Sequence, residues 1–106
     1  MMRIYVVLIA LLTLAISMPA AEKKVVTPPG GPPPVGPYSP GILAGDYLYA
    51  SGQGAAKPDG SFPATAEEQV SQCLANVRRI VEGAGLTMEH VVYAHVFYDL
   101  LVYWRA

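Results

Sequence analysis

Val35-Gly36-Pro37-Tyr38-Ser39-Pro40-Gly41-Ile42-Leu43-Ala44-Gly45-Asp46-Tyr47-Leu48-Tyr49-Ala50-Ser51-Gly52-Gln53 is the stretch whose reading decides the fold. Gly45-Asp46 separates two short apolar and aromatic runs, Ile42 to Ala44 and Tyr47 to Ala50. That spacing predicts a β-hairpin closed by a two-residue turn. Gly36-Pro37 fixes one backbone angle and frees another just before Tyr38, so the ring leaves the chain from a defined turn. Ser51-Gly52-Gln53 ends the second strand with backbone amides left to face a ligand. Together these supply the parts of a small anion or carbonyl site.

Beyond the hairpin, Lys57-Pro58-Asp59-Gly60 carries turn chemistry. Thr65-Ala66-Glu67-Glu68 then fits a capping box, in which the threonine hydroxyl and Glu68 each serve one orphan amide. The helix that follows places Val70, Cys73, Leu74, Val77, Ile80, Val81 and Ala84 on one stripe. Glu67, Gln69, Gln72, Asn76, Arg79 and Glu82 take the opposite, wet side. Gly85-Leu86 suits a left-handed C-terminal cap. Val91 to Tyr98 is rich in β-branched and aromatic residues and apolar on both alternating faces, which predicts a buried strand beside the hairpin. Strand, turn, strand, helix, strand is the opening half of an α+β sandwich.

Gly36-Pro37-Tyr38-Ser39 before the hairpin, Ser51-Gly52-Gln53 after it, the Glu67-Glu68-Gln69 helix start and Val91 to Phe97 resemble the RidA-like family of reactive intermediate deaminases. The likeness runs from about Val35 to about Leu100. It implies a RidA-like, chorismate-mutase-like α+β fold, a sheet packed with helices, of which the hairpin, first helix and following strand are seen here. It implies hydrolysis of 2-enamino or 2-imino acids to 2-keto acids and ammonia, no cofactor, and a homotrimer with sites between subunits. Tyr38 is carried over as a pocket wall, and Ser51 with Gly52 as the hydroxyl and amide that orient substrate or water. Pro40 departs from the family, which often has glutamine there. The family's substrate-binding arginine lies in a Pro-Ala-Arg segment on later strands, with an acidic residue near the C-terminus. Neither pattern occurs here, and Arg105, after Tyr103-Trp104, is not in that context. No catalytic residue is assigned, and the expectation is a RidA-like domain over 35–106 that lacks its C-terminal half.

Met1 to Ala21 has one early cation, Arg3, an apolar run from Ile4 to Ile16, and then Ser17-Met18-Pro19-Ala20-Ala21, the form of a secretory signal peptide. Its apolar core is shorter than the roughly 20 residues of a spanning helix, so export with cleavage after Ala20 or Ala21 is expected. An uncleaved membrane anchor is the alternative. Residues 22–34, with Pro28-Pro29-Gly30-Gly31-Pro32-Pro33-Pro34, read as a Pro/Gly-rich spacer of polyproline character. A proline-rich ligand for an SH3-like domain is the sharper reading of that run, but Gly30-Gly31 interrupts it.

Seven Lys and Arg against eight Asp and Glu give a net charge of −1, which offers no footprint for nucleic acid. Cys73 is the single cysteine, so no internal disulfide can form. It reads as a small hydrophobe on the helix stripe. His90 and His95 are too few for a metal site. Glu67 and Glu68 are neighbours on a helix and diverge, so they serve the helix dipole and do not make a catalytic pair. Phosphate-loop and serine-hydrolase patterns are absent. Two other functions stay open beside the deaminase: a non-catalytic small-ligand-binding or interaction module of the same fold, and a non-functional fragment with an exposed strand edge.

Overall fold

The computed structural model describes residues 1–16 and 19–97. Helix α1 spans Met2–Ile16, strand β1 Lys23–Val26, β2 Gly41–Ala44, β3 Tyr47–Ala50 and helix α2 Ala66–Gly83, followed by a single 3-10 turn at Met88–His90. The sheet is antiparallel in the order β1-β2-β3. One face of it receives α2, so the described part is a helix laid on a sheet, the α+β arrangement expected from the sequence.

The hairpin forms where the turn chemistry puts it. Ala44 pairs with Tyr47 across Gly45-Asp46, and Gly45 has φ of 57° while Asp46 is not among the positive-φ residues. A positive angle at the first central position alone is the type II′ pattern, which matches the twist of paired strands and favours glycine there. Alternation along the strands then sends Gly41, Leu43 and Leu48 towards α2.

Helix α2 begins and ends as its sequence dictates. Thr65 Oγ1 accepts from the Glu68 amide at 3.2 Å, and Glu68 Oε2 accepts from the Thr65 amide at 3.4 Å. At the other end Gly85 has φ of 79°. Its amide donates to Glu82 O at 2.9 Å and that of Leu86 to Val81 O at 3.1 Å, the paired bonds of a Schellman cap. Ile80 at 1% exposure, Val81 and Val26 form the core with Ala55. Full burial of a side chain such as Ile80 contributes about 1.5–3 kcal/mol. The contact is tight because β2 offers Gly41 there: a Cβ at that position would stand 2.7 Å from Ile80 Cγ2.

The structure differs from the sequence reading in four places. Lys23–Val26, read as the start of the spacer, is strand β1, with Lys23 opposite Ala44 and Val26 opposite Gly41. Two lysines in four residues hide the strand, yet as an edge strand it needs to bury only Val26. The proline-rich run beyond it turns back over α2 and does not lead away from the domain: Arg79 Nη1 donates to Gly30 O at 2.6 Å. Residues 91–97 pair with no strand among the described residues and are exposed, Val92 and Phe97 by 86% and 89%. β-propensity states only that a segment fits a ladder, and the described residues bring no partner edge to it. Tyr98, Leu101 to Ala106 with Arg105, and the Ser17-Met18 part of the expected cleavage region lie outside the described residues.

The helix faces also need correction. Asn76, assigned to the wet side, is 2% exposed, whereas Val70 and Leu74, assigned to the apolar stripe, are 43% and 57% exposed. Cys73 is half-buried. The described sheet is short and covers only the last turns of α2, so the first half of the stripe stays open. Helix α1 keeps Ile4 to Ile9 more than half exposed. No helix among the described residues is long and apolar enough to cross a membrane.

Candidate functional site

Three short segments converge beside α2. The first is the turn at Gly36-Pro37-Tyr38, where the Tyr38 amide donates to Gly36 O at 2.9 Å across Pro37. A ring-fixed φ at Pro37 makes this three-residue turn inexpensive to hold. It leaves the Tyr38 side chain 44% exposed, with one side against a cleft.

The second segment is the exit from β3. Ser51 donates twice to a single acceptor, Pro40 O, through its amide at 2.9 Å and its hydroxyl at 3.1 Å. Gln53 Nε2 in turn lies 3.1 Å from Ser51 Oγ, 3.3 Å from Ser51 O and 3.1 Å from Gly52 O. The Ser51 hydroxyl proton is therefore engaged inside the protein, and its oxygen also accepts from Gln53. Gly52 is exposed, with open space where a Cβ would stand and no positive φ, so neither packing nor backbone requires glycine there. Its amide donates to no acceptor among the described residues.

The third segment is the proline run, and α2 ties it and the β3 exit in place. Asn76 Nδ2 donates to Gly54 O and to Ala56 O, both at 2.9 Å, while Asn76 Oδ1 accepts from Gln72 at 3.0 Å. One turn on, Arg79 holds Gly30. Residues three apart on a helix share a face. From this face Asn76 and Arg79 line a cleft of about 140 Å³, together with Gln53, Tyr38 and Pro32, Pro33 and Pro34.

Of the residues singled out in the sequence, Tyr38 lines this cleft, while Ser51 reaches it only through Gln53 and Gly52 does not line it. Asn76, Gln53 and Arg79 are contributions the sequence reading missed. The one sequence signal for Asn76 was an amide in the middle of a helix, where asparagine is a weak former and needs a partner.

A larger hollow of about 350 Å³ lies at the start of α2 between Lys57, Pro63, Glu67, Glu68 and Ser71. It holds no group from the Tyr38 turn, and its Glu68 already belongs to the helix cap. His90 Nδ1 lies 2.9 Å from Thr87 Oγ1 and His95 Nε2 lies 3.2 Å from Tyr93 Oη. Among the described residues no three His, Cys, Asp or Glu side chains come together as metal ligands would.

Comparison with known proteins follows this geometry. Residues 30–101 match the model of the family described as endoribonuclease L-PSP. A RutC family protein of Saccharolobus solfataricus is 34% identical over 77 residues, which are 71% of this chain and 61% of the relative. The chain thus spans about three-fifths of that relative's length. Among solved structures, a conserved Rid family protein of unknown function from Yersinia pestis superposes with a TM-score of 0.60 at 36% identity, over 64% of this chain and 56% of that one. TdcF of E. coli with bound serine superposes with a TM-score of 0.59 at 35% identity, over 61% of this chain and 52% of that one. The hairpin, the Tyr38 turn and α2 all fall within the matched residues, and by that match the chain belongs to the RidA-like family, that of endoribonuclease L-PSP.

Proposed function

We propose that this chain supplies the Tyr38 side of a site for small 2-imino or 2-enamino acids, hydrolysed to the 2-keto acid and ammonia. The observation that carries the reading is the small cleft that Tyr38 and Gln53 share beside α2, in a family where a related protein holds serine. In the reaction, water oxygen bonds to the imine carbon while a proton reaches the nitrogen. In the resulting carbinolamine a proton passes from the hydroxyl oxygen to the amine nitrogen, the C=O bond forms and the C–N bond breaks to release ammonia. Such a step benefits from a positioned acceptor for the water and a donor near the nitrogen. Gln53 Oε1 is suited to the first task, and the Tyr38 hydroxyl to the second. The chemistry calls for no cofactor.

A second reading is favoured by one observation: the Ser51 hydroxyl proton already goes to Pro40 O. With that proton committed the Ser51 hydroxyl cannot donate to substrate or water, which favours binding a small acid over hydrolysing it. Ammonia release from 2-iminopropanoate, generated in place by an amino-acid oxidase, separates the two. The deaminase reading expects release above the uncatalysed rate and its loss in Tyr38→Ala; saturable binding with no acceleration selects the binding module. Assembly as a homotrimer belongs to the same proposal, and a monomer by light scattering overturns that part. Export belongs to it too, supported by the apolar residues that α1 leaves uncovered. An intact mass starting at Ala21 or Glu22 is the expected result, and a secreted or periplasmic chain that retains Met1 to Ala20 opposes it.

A further inference from the structure

We propose that the leader can be cut only while β1 is off the sheet, so that its removal competes with folding; the inference rests on the export reading above. Sequence places a spacer between the expected cut and the domain, and the structure puts a strand there instead. A cut after Ala20 or Ala21 leaves at most Ala21 and Glu22 before Lys23, and Lys23 is already laddered opposite Ala44 of β2. A peptidase holds the residues on both sides of the bond it opens as an extended strand, with their backbone groups turned to the enzyme. Beyond this bond, the residues it needs run straight into the strand that β2 holds. Even Ala21 lies beside the hairpin turn, its Cβ 3.8 Å from the place where a Cβ on Gly45 would stand.

Strand β1 is not loosely attached. Val26, 5% exposed, is its anchor. A Cβ on Gly41 of β2 would stand 3.4 Å from Val26 Cβ, and one on Gly83 of α2 would stand 3.4 Å from Val26 Cγ1, so the side chain is clasped between the sheet and the last turn of the helix. Lifting β1 exposes that valine, which by itself lowers the open population by about 10-fold or more. Where opening is fast relative to cutting, the rate of cutting follows that population. The leader side presents no such obstacle: Ala20 is exposed, and α1 keeps Ile4 to Ile9 more than half exposed. The block therefore lies on the mature side of the bond and arises only once the sheet has formed. A chain cut first folds without its leader, and a chain that folds first keeps it, so the order of the two events decides between release and the uncleaved anchor.

The test uses the full chain in detergent micelles with a purified leader peptidase, and follows by mass the product that starts at Ala21 or Glu22. The unaltered chain is expected to be cut about 10-fold or more slowly than Ile80→Asp, in which a buried charge keeps α2 off the sheet. A flexible insert of about eight Gly and Ser residues between Glu22 and Lys23 gives slack without altering β1. It is expected to bring the folded chain up to the rate of Ile80→Asp. Hydrogen exchange at the Val25 and Val26 amides supplies a second readout, expected to be slow in the unaltered chain; exchange as fast as in Ile80→Asp means an undocked β1 and overturns the inference. Equal cutting of all three proteins at these bonds leaves export standing and removes the coupling to folding. If neither Ile80→Asp nor the insert variant is cut there, the export reading fails and takes the inference with it.

Discussion

Replacing Asn76 by alanine is expected to unfasten the loop after β3. Two neutral hydrogen bonds, to Gly54 O and Ala56 O, vanish together with the acceptor for Gln72. Each bond carries a net of about 0.5–1.5 kcal/mol. Gly54 is exposed and Ala56 half-buried, so water reaches the freed carbonyls and the full penalty for a buried unpaired group does not apply. Alanine regains about 0.5 kcal/mol of helix propensity. Over the three bonds the balance is a destabilisation of about 1–4 kcal/mol, read by urea unfolding of the far-ultraviolet signal. Asn76→Asp sharpens the test because it keeps the shape and reverses the polarity. Facing two carbonyl oxygens in a buried site, the new carboxyl has its pKa raised above the ordinary value of about 3.9. The folded state then holds the proton more tightly than the unfolded one. Stability is retained below the unfolded value and lost as pH rises through the raised folded one. An Asn76→Ala protein within about 0.5 kcal/mol of the original, or an Asn76→Asp deficit that ignores pH, refutes the reasoning.

Gly41→Ala should destabilise by about 1–3 kcal/mol through overpacking, because its Cβ would sit 2.7 Å from Ile80 Cγ2 and that side chain is 1% exposed. Gly52→Ala, with open space around it, should stay within about 0.5 kcal/mol in the same chemical-denaturation assay. Asp59 Oδ1 accepts from the Ser61 hydroxyl and amide at 2.7 and 2.9 Å, bonds that hold its carboxyl below the ordinary value of 3.8. Its contribution is present above the unfolded pKa and fades as pH falls through the lowered folded one. NMR titration should show the low value and its rise in Ser61→Ala; an Asp59 that titrates alike in both proteins opposes the assignment.

Local chemistry was legible wherever a few adjacent residues determine the outcome. Gly45-Asp46 set the turn, Thr65 and Glu68 the helix start, and Gly85 its end, since each depends on backbone angles and bonds that span at most a handful of positions. The ordered motifs from Gly36 to Phe97 were likewise enough to indicate the family. Strand β1 and the course of the proline run were not legible, because a four-residue edge strand with two lysines carries little pattern of its own. The extended segment at 91–97 shows the converse, strong propensity without a ladder.

The candidate site divides along the same line. Tyr38 could be named from its turn. By contrast, Asn76 and Arg79 look in sequence like ordinary polar residues on the outer face of a helix. What reverses that reading is the return of two distant segments, Gly54 to Ala56 and Gly30, over the same face of α2. Sequence alone thus determined the turns, the caps and the family, which arise from short-range sterics and hydrogen bonding. Only tertiary structure decided which polar side chains are buried and which line the cleft, because burial depends on residues tens of positions away that no local periodicity records.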